Sequence, residues 1–259
     1  MHHSDSATVT TVDTLVKLLD VCGELRASEQ VDGRAVTGCS FDSRAVSAGD
    51  VFFCKGAAFK PAFLRMALDA GAVAFVCEES LVESLEPLAQ ESGAAMLVVD
   101  SVRTAMALLP PEVYDRPDRD VKIVGITGTK GKTTAAFMLQ SIIKAAGESC
   151  GMIGSVSTDD GIECYESTNT TPEAPEVWRH IANCRMSGRQ SMVMEVSSQA
   201  LKYQRVENLP FDVACFLNIG RDHISPIEHP TFEDYFESKL RIFDQAKTAV
   251  VNLGTEEVD

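Results

Sequence analysis

Nowhere in this sequence do apolar residues run on for the roughly 18 positions that a membrane-spanning helix requires. The opening residues, MHHSDSATVTTVDTL, also lack the charged-then-apolar order of a secretory signal, and a cytosolic chain is expected. Basic residues are scarce: 23 Lys and Arg stand against 38 Asp and Glu, a formal net charge of -15. Such a surface repels nucleic-acid backbones and anionic membranes at long range, so neither is expected as a partner. An anionic small ligand stays compatible with that charge if cations gather at its site. There is no C-x-x-C pair, and several of the eight cysteines lie inside apolar runs, so free buried thiols are expected rather than a metal or disulfide framework. Internal repeats and low-complexity tracts are absent too.

What is present is an alternation of strand and helix patterns. In the first 110 residues, TVDTLVKLLDVC has helical spacing at Val12, Leu15, Val16 and Leu19, with Thr11 or Asp13 as cap. DVFFC and AVAFVC read as short buried strands, and PAFLRMALDAG between them as a helix closed by Gly71. LPPEVYDRPDRD, Leu109 to Asp120, then interrupts the pattern with three prolines and a charge cluster, the mark of a domain boundary. Beyond it come strand KIVGIT, helix KTTAAFMLQSIIKAAG, strands SMVMEV and VACFLNI, helix TFEDYFESKLRIFDQA and strand TAVVNL. Strands apolar on both faces and separated by helices favour a parallel sheet covered on both sides. The expected class is α/β: an N-terminal α/β domain over residues 1–112, then a P-loop-type, mostly parallel sheet domain with helices on both faces over 113–259.

Between the first strand and helix of that second domain stands Gly128-Thr129-Lys130-Gly131-Lys132-Thr133-Thr134. Glycines let backbone N–H groups curl around phosphate oxygens, the new helix turns its positive end toward them, and Lys132 adds a point charge. The Thr133 hydroxyl is placed to reach a magnesium ion. The usual G-x-x-x-x-G-K-[ST] spacing is not kept, because Ile126 stands five residues before Gly131 and the first glycine falls at Gly128. A nucleotide-triphosphate site is still the reading that strand–loop–helix context favours.

Two further strand ends carry chemistry-bearing side chains. SMVMEVSSQAL brings Glu195 to the carboxyl end of its strand, where a magnesium ligand is wanted and where a helix-capping role is the plain alternative. FLNIGRDHISPIEHP brings Asn218, Arg221, Asp222 and His223 to the end of the next. On the helix after Thr231, Phe232, Phe236, Lys239 and Phe243 recur at intervals of four, three and four, which puts Lys239 in the apolar stripe. Such a lysine either snorkels to water or is held inward with a modified amine or a depressed pKa near a metal site.

Taken together, GTKGKTT, STNTTPE, MEVSSQAL with QRV, NIGRDHI and FEDYFESKLRIF strongly resemble the Mur ligase family of peptidoglycan synthesis, in the family's order and over nearly the whole chain. FDSRAVSAGDVFFCKGA resembles the same family's uridine-diphosphate-binding element, although Lys60-Pro61 stands where the family commonly has Asp-Gly. The resemblance is nearest to members that add the third amino acid to UDP-N-acetylmuramoyl-L-alanyl-D-glutamate. It implies ATP phosphates on Gly128 to Thr134 and magnesium held through Thr133, Glu195, His223 and a Lys239 carbamylated by carbon dioxide. Lys132, Glu195, His223 and Lys239 would be catalytic. Asn169, Thr170, Thr171, Ser197 and Arg205 would contact the muramoyl peptide, with Tyr203 less prominent, and Ser43, Lys55, Gly56 and Ala57 the nucleotide end.

The implied reaction is ATP-driven amide ligation through an acyl phosphate, by a monomer, with an amino acid as second substrate. Because the family has a further domain and this sequence ends at Asp259, a fragment with an incomplete central sheet and little turnover of its own is expected. Folylpolyglutamate synthetase shares the loop and the lysine, but the D-S-R element ahead of the boundary argues against it. A non-enzymatic nucleotide-binding switch is the alternative of a different class, and it has no use for an inward lysine.

Overall fold

The computed structural model describes residues 9–222 and 224–255. The chain divides into two compact units between Arg116 and Pro117, each with its own sheet and core. The first unit runs α1 (Val12–Val21), β1 (Leu25–Glu29), β2 (Gly38–Ser40), β3 (Asp50–Phe53), α2 (Pro61–Asp69), β4 (Ala74–Glu78), α3 (Val82–Ser92), β5 (Ala95–Val99) and α4 (Val102–Val113). Its sheet has the order β1-β5-β4-β3-β2, parallel throughout except for the antiparallel β1–β5 pair. The period of two along each strand sorts the side chains: Ala74, Val76, Ala95, Leu97 and Val99 face α1 and α4, whereas Phe75, Cys77, Met96 and Val98 face α2 and α3. Helix α1 is capped by Thr11, whose hydroxyl accepts from the Thr14 N–H. Lys60-Pro61 is the start of α2, with Lys60 as N-cap and Pro61 as first helical residue, a position where the missing N–H costs nothing.

The prolines of LPPEVYDRPDRD do not interrupt the helix as expected. Pro110 and Pro111 lie buried in the last turn of α4, their fixed φ suits the helix, and their carbonyls accept from the N–H groups of Tyr114 and Arg116. The helix ends only where Asp115 and Arg116 take left-handed backbone angles.

The second unit runs β6 (Lys122–Thr127), α5 (Lys132–Ala145), β7 (Cys150–Ile153), β8 (Ser157–Asp159), β9 (Cys164–Glu166), α6 (Ala174–Met186), β10 (Ser191–Glu195), α7 (Ser198–Lys202), β11 (Val213–Phe216), α8 (Phe232–Leu240) and β12 (Ala249–Val251). The sheet order is β12-β11-β6-β10-β7-β8-β9; the first five strands are parallel and β7-β8-β9 antiparallel. Ile126, Met152 and Val193 pack on α5. On the opposite face Gly125 leaves the room that Phe211 and Ile242 fill: a Cβ there would meet the Phe211 ring at 2.6 Å. Helices therefore cover both faces, as expected for this class. The helix expected over TFEDYFESKLRIFDQA is shorter, with α8 ending at Leu240 and a tighter 3-10 turn following over Arg241–Gln245. Strand β12 is exposed rather than buried on both faces.

All eight cysteines are free, but Cys22 and Cys164 are exposed rather than buried. Burial pushes the Cys77 and Cys184 thiols up to about 12, which keeps them protonated and inert. Among the described residues no helix is long and apolar enough to cross a membrane.

Candidate nucleotide and metal site

The parallel register brings four strand ends level. Ile126 of β6 pairs with Glu195 of β10 and with Cys215 of β11, and β7 ends beside β10 at Ile153. In an open parallel sheet this carboxyl edge is where ligands bind. The glycine loop leaves β6 here. Gly128 and Gly131 have φ of +150° and +85°, angles that a Cβ would strain, and Gly131 is the N-cap of α5 without a side-chain cap. The first-turn N–H groups of Lys132, Thr133 and Thr134 have no intrahelical acceptor, and with the helix dipole they form an anion cradle.

The loop is braced from β11. Asn218 Oδ1 accepts from the N–H groups of Thr129 (3.1 Å) and Lys130 (3.0 Å), and its Nδ2 donates to the Lys130 carbonyl. Thr129 and Lys130 therefore shape the loop with their amides already engaged by Asn218.

Two lysines converge on this loop. Lys132 Nζ donates to the carbonyls of Gly128 (2.9 Å) and Thr129 (3.3 Å), and Lys239 Nζ donates to the same Gly128 oxygen at 2.9 Å. Lys239 is 1% exposed, so it does not snorkel to water. Burial, and then the charge of Lys132, lower its pKa to about 7, with Asp222 opposing. Burial also lowers the Lys132 pKa, against Glu195 and Asp222. Tyr235 ties the two elements together: its ring lies 4.7 Å from Lys239 Nζ and its hydroxyl donates to Thr129 Oγ1 at 3.1 Å.

Across the loop, the Thr133 hydroxyl donates to Glu195 Oε2 at 2.9 Å and the Ser155 N–H to Glu195 Oε1 at 2.8 Å. Glu195 is buried, and Gly154 lacks the Cβ that would crowd its carboxylate. A threonine hydroxyl against a carboxylate is an all-oxygen donor pair, the chemistry that a small divalent cation takes. Lys239 joins such a set only after its cation has become an anion. His223 lies outside the described residues.

A cleft of about 170 Å³ adjoins this centre, lined among others by Lys132, Asn169, Thr170, Thr171, Ser197 and Arg205, with Lys239 at its wall. Asn169 and Thr170 present polar groups to it. Thr171 lines the cleft while largely buried: its hydroxyl donates to the Glu195 carbonyl at 2.9 Å and accepts from the Ser197 N–H, so it also fixes the end of β10. Arg205 is held by Glu173 and by the Thr171 carbonyl. In the first unit a cleft of about 420 Å³ is lined by Phe41, Ser43, Phe52, Lys55, Phe59 and Phe63. Lys55 Nζ sits 4.7 Å from the centre of the Phe41 ring. Ser43 and Lys55 share this cleft, whereas Gly56 and Ala57 lie exposed in the turn after it.

Sequence reasoning missed Ser155, whose surroundings GSVSTDD carry no motif, and Tyr235, which reads only as a core aromatic. It noticed Asn218 at its strand end without seeing that it braces the loop. A second cluster, Asp160, Glu163 and His180, groups possible metal ligands. There the Asp160 carboxylate is already taken up by His180, Asn183 and the backbone N–H groups of Ile162 and Glu163.

Residues 126–258 match the family model of the Mur ligase middle domain. A UDP-N-acetylmuramoyl-L-alanyl-D-glutamate--L-lysine ligase of Streptococcus suis is 37% identical over 95% of this chain and 51% of its own length. An enzyme of the same name from Enterococcus faecalis is 42% identical over 88% of the chain and 44% of its own. This chain thus spans about half the length of the curated relatives it matches. Among solved structures, a UDP-N-acetylmuramoyl-L-alanyl-D-glutamate--2,6-diaminopimelate ligase superposes with a TM-score of 0.75 at 23% identity, covering 96% of this chain and 48% of that one, a likeness of fold.

Proposed function

The chain belongs to the Mur ligase family, and from that membership and the site's geometry we propose that it serves ATP-driven attachment of an amino acid to UDP-N-acetylmuramoyl-L-alanyl-D-glutamate. The observation that carries this reading is the meeting, on one glycine loop, of two inward lysine ammoniums at Gly128 with the Thr133–Glu195 oxygen pair. The first-turn amides of α5 take the ATP phosphates, and Lys132 turns from its own loop carbonyls to the oxygens of the transferred phosphoryl group. Thr133 and Glu195, with His223, would hold magnesium, which supplies charge neutralisation on the phosphates.

Lys239 has the chemistry for carbamylation. With its pKa lowered to about 7, a large fraction of the amine is neutral near pH 7, the form that adds carbon dioxide and releases a proton, and the resulting carbamate is an oxygen anion fit to ligate a second cation. Asn169, Thr170, Ser197 and Arg205 orient the muramoyl peptide so that its terminal carboxylate attacks the γ-phosphorus and displaces ADP, giving an acyl phosphate. Arg205, already fixed by Glu173, is a cation in place before substrate arrives. The incoming amine then attacks the acyl carbon, forms the amide bond with loss of its proton, and expels inorganic phosphate. In the first unit the aromatic walls and Lys55 of the 420 Å³ cleft suit the uridine diphosphate end. The work is assigned to a monomer in the cytoplasm.

Calorimetric titration with UDP-N-acetylmuramoyl-L-alanyl-D-glutamate tests the reading. Saturable binding that Lys55→Ala weakens about tenfold is expected; a chain that ignores the ligand at millimolar concentration contradicts it.

A further inference from the structure

Helices α7 and α8 have five and nine residues, too short to be stable alone, so their placement is decided by what ties them. Four contacts join α7 to residues 228–234, and a fifth links His229 to Asp234 within that segment. Ser198 Oγ lies 2.9 Å from His229 Nε2, and His229 Nδ1 lies 2.6 Å from Asp234 Oδ2. Lys202 Nζ donates to the same Asp234 oxygen at 2.7 Å and to the Glu228 carbonyl at 3.0 Å, and Gln199 donates to the Glu228 carboxylate. Asp234 is held ionised by Lys202 and His229 against some desolvation. It therefore accepts from Nδ1–H, which in the neutral ring leaves Nε2 to accept the Ser198 proton.

The order of atoms is that of a nucleophile–base–acid triad, but Ser198 is 5% exposed and His229 fully buried, which suits a strut rather than a nucleophile. What the strut joins is informative. Helix α7 begins three residues after Glu195. Helix α8 carries Asp234 in its first turn and Lys239 in its last. The rings of His229 and Tyr235 pack in a T-shaped arrangement, centres 5.2 Å apart, and Tyr235 in turn reaches Thr129 with its hydroxyl and Lys239 with its ring face. The spacing between the Glu195 side and the Lys239 side of the site thus runs through this buried imidazole, with the Lys202 and Gln199 contacts beside it.

We propose that Ser198, His229 and Asp234 form a positioning strut of the ligase site. It fixes α8, and with it Tyr235 and Lys239, against the glycine loop, in the arrangement in which a divalent cation and a nucleotide reinforce each other's binding. The inference rests on the magnesium–ATP reading above.

Its test is calorimetry of ADP, with and without Mg2+, on the parent chain, on Ser198→Ala and on His229→Gln, the second variant deciding should the first fail to fold. A loss of general stability weakens ADP equally in both conditions. The strut predicts instead that Mg2+-free ADP affinity stays within about twofold of the parent while the enhancement by Mg2+ falls roughly tenfold. Folded variants that keep the parent's enhancement overturn this inference alone. A parent chain in which Mg2+ gives no enhancement overturns the functional reading, and the inference with it.

Discussion

Lys132 and Lys239 donate from their Nζ atoms to one and the same acceptor, the carbonyl oxygen of Gly128, each at 2.9 Å. Two ammoniums on one oxygen repel each other, and little water screens them. The arrangement is costly to the folded chain and suits a site awaiting negative charge: phosphate oxygens for Lys132, and conversion to an anion for Lys239.

The cost has a pH signature. The folded-state pKa of Lys239, about 7, lies below its ordinary value of 10.5, so between those values the unfolded chain binds more protons and stability contributed at this position rises with pH. The penalty is complete below pH 7 and gone above 10.5. Lys239→Met is therefore expected to be more stable than the parent by about 1–4 kcal/mol near pH 7. Urea denaturation should show that difference shrinking through pH 10, with no ligand added.

Asn218 makes the loop's shape depend on β11. Asn218→Ala removes the acceptor shared by the Thr129 and Lys130 amides and leaves the phosphate cradle less preorganised. ATP affinity should fall about fivefold, with the ratio of affinities with and without Mg2+ unchanged, since Thr133 and Glu195 are not touched. Calorimetry in both conditions checks this.

Gly125 tests the packing behind the loop. In Gly125→Ala the new methyl group would stand 2.6 Å from the Phe211 ring and 3.2 Å from Ile242, and a loss of about 1–3 kcal/mol is expected. Gly220→Ala, where nothing lies within 4 Å, should change stability by less than about 0.5 kcal/mol. Thermal melts of the two variants side by side decide it.

The strand–loop–helix around Gly128 to Thr134 and the place of Lys239 in the apolar stripe were legible because each is written in local periodicity, whereas periodicity left open whether that lysine snorkels or turns inward. An apolar run gives the strand, glycines give the turn, and Phe232 and Phe236 frame the lysine, packing with Phe216. The hairpin β8–β9 was not legible: its strands have three residues each and β9 is fully exposed, so no alternation marks it. Pro110 and Pro111 misled because a proline forbids its own N–H bond but not the helix's last turn. The hold of Thr171 on the Glu195 carbonyl and of His229 on Ser198, across 24 and 31 residues of sequence, was not legible either. Contacts at that separation leave no periodic trace.

The most direct measurement of the central claim is the anomalous density of Mn2+ in crystals grown with ADP. A peak is expected in contact with the Thr133 hydroxyl and the Glu195 carboxylate, beside phosphates seated on the first turn of α5. Manganese found instead at Asp160 and His180, with the glycine loop bare, would contradict it.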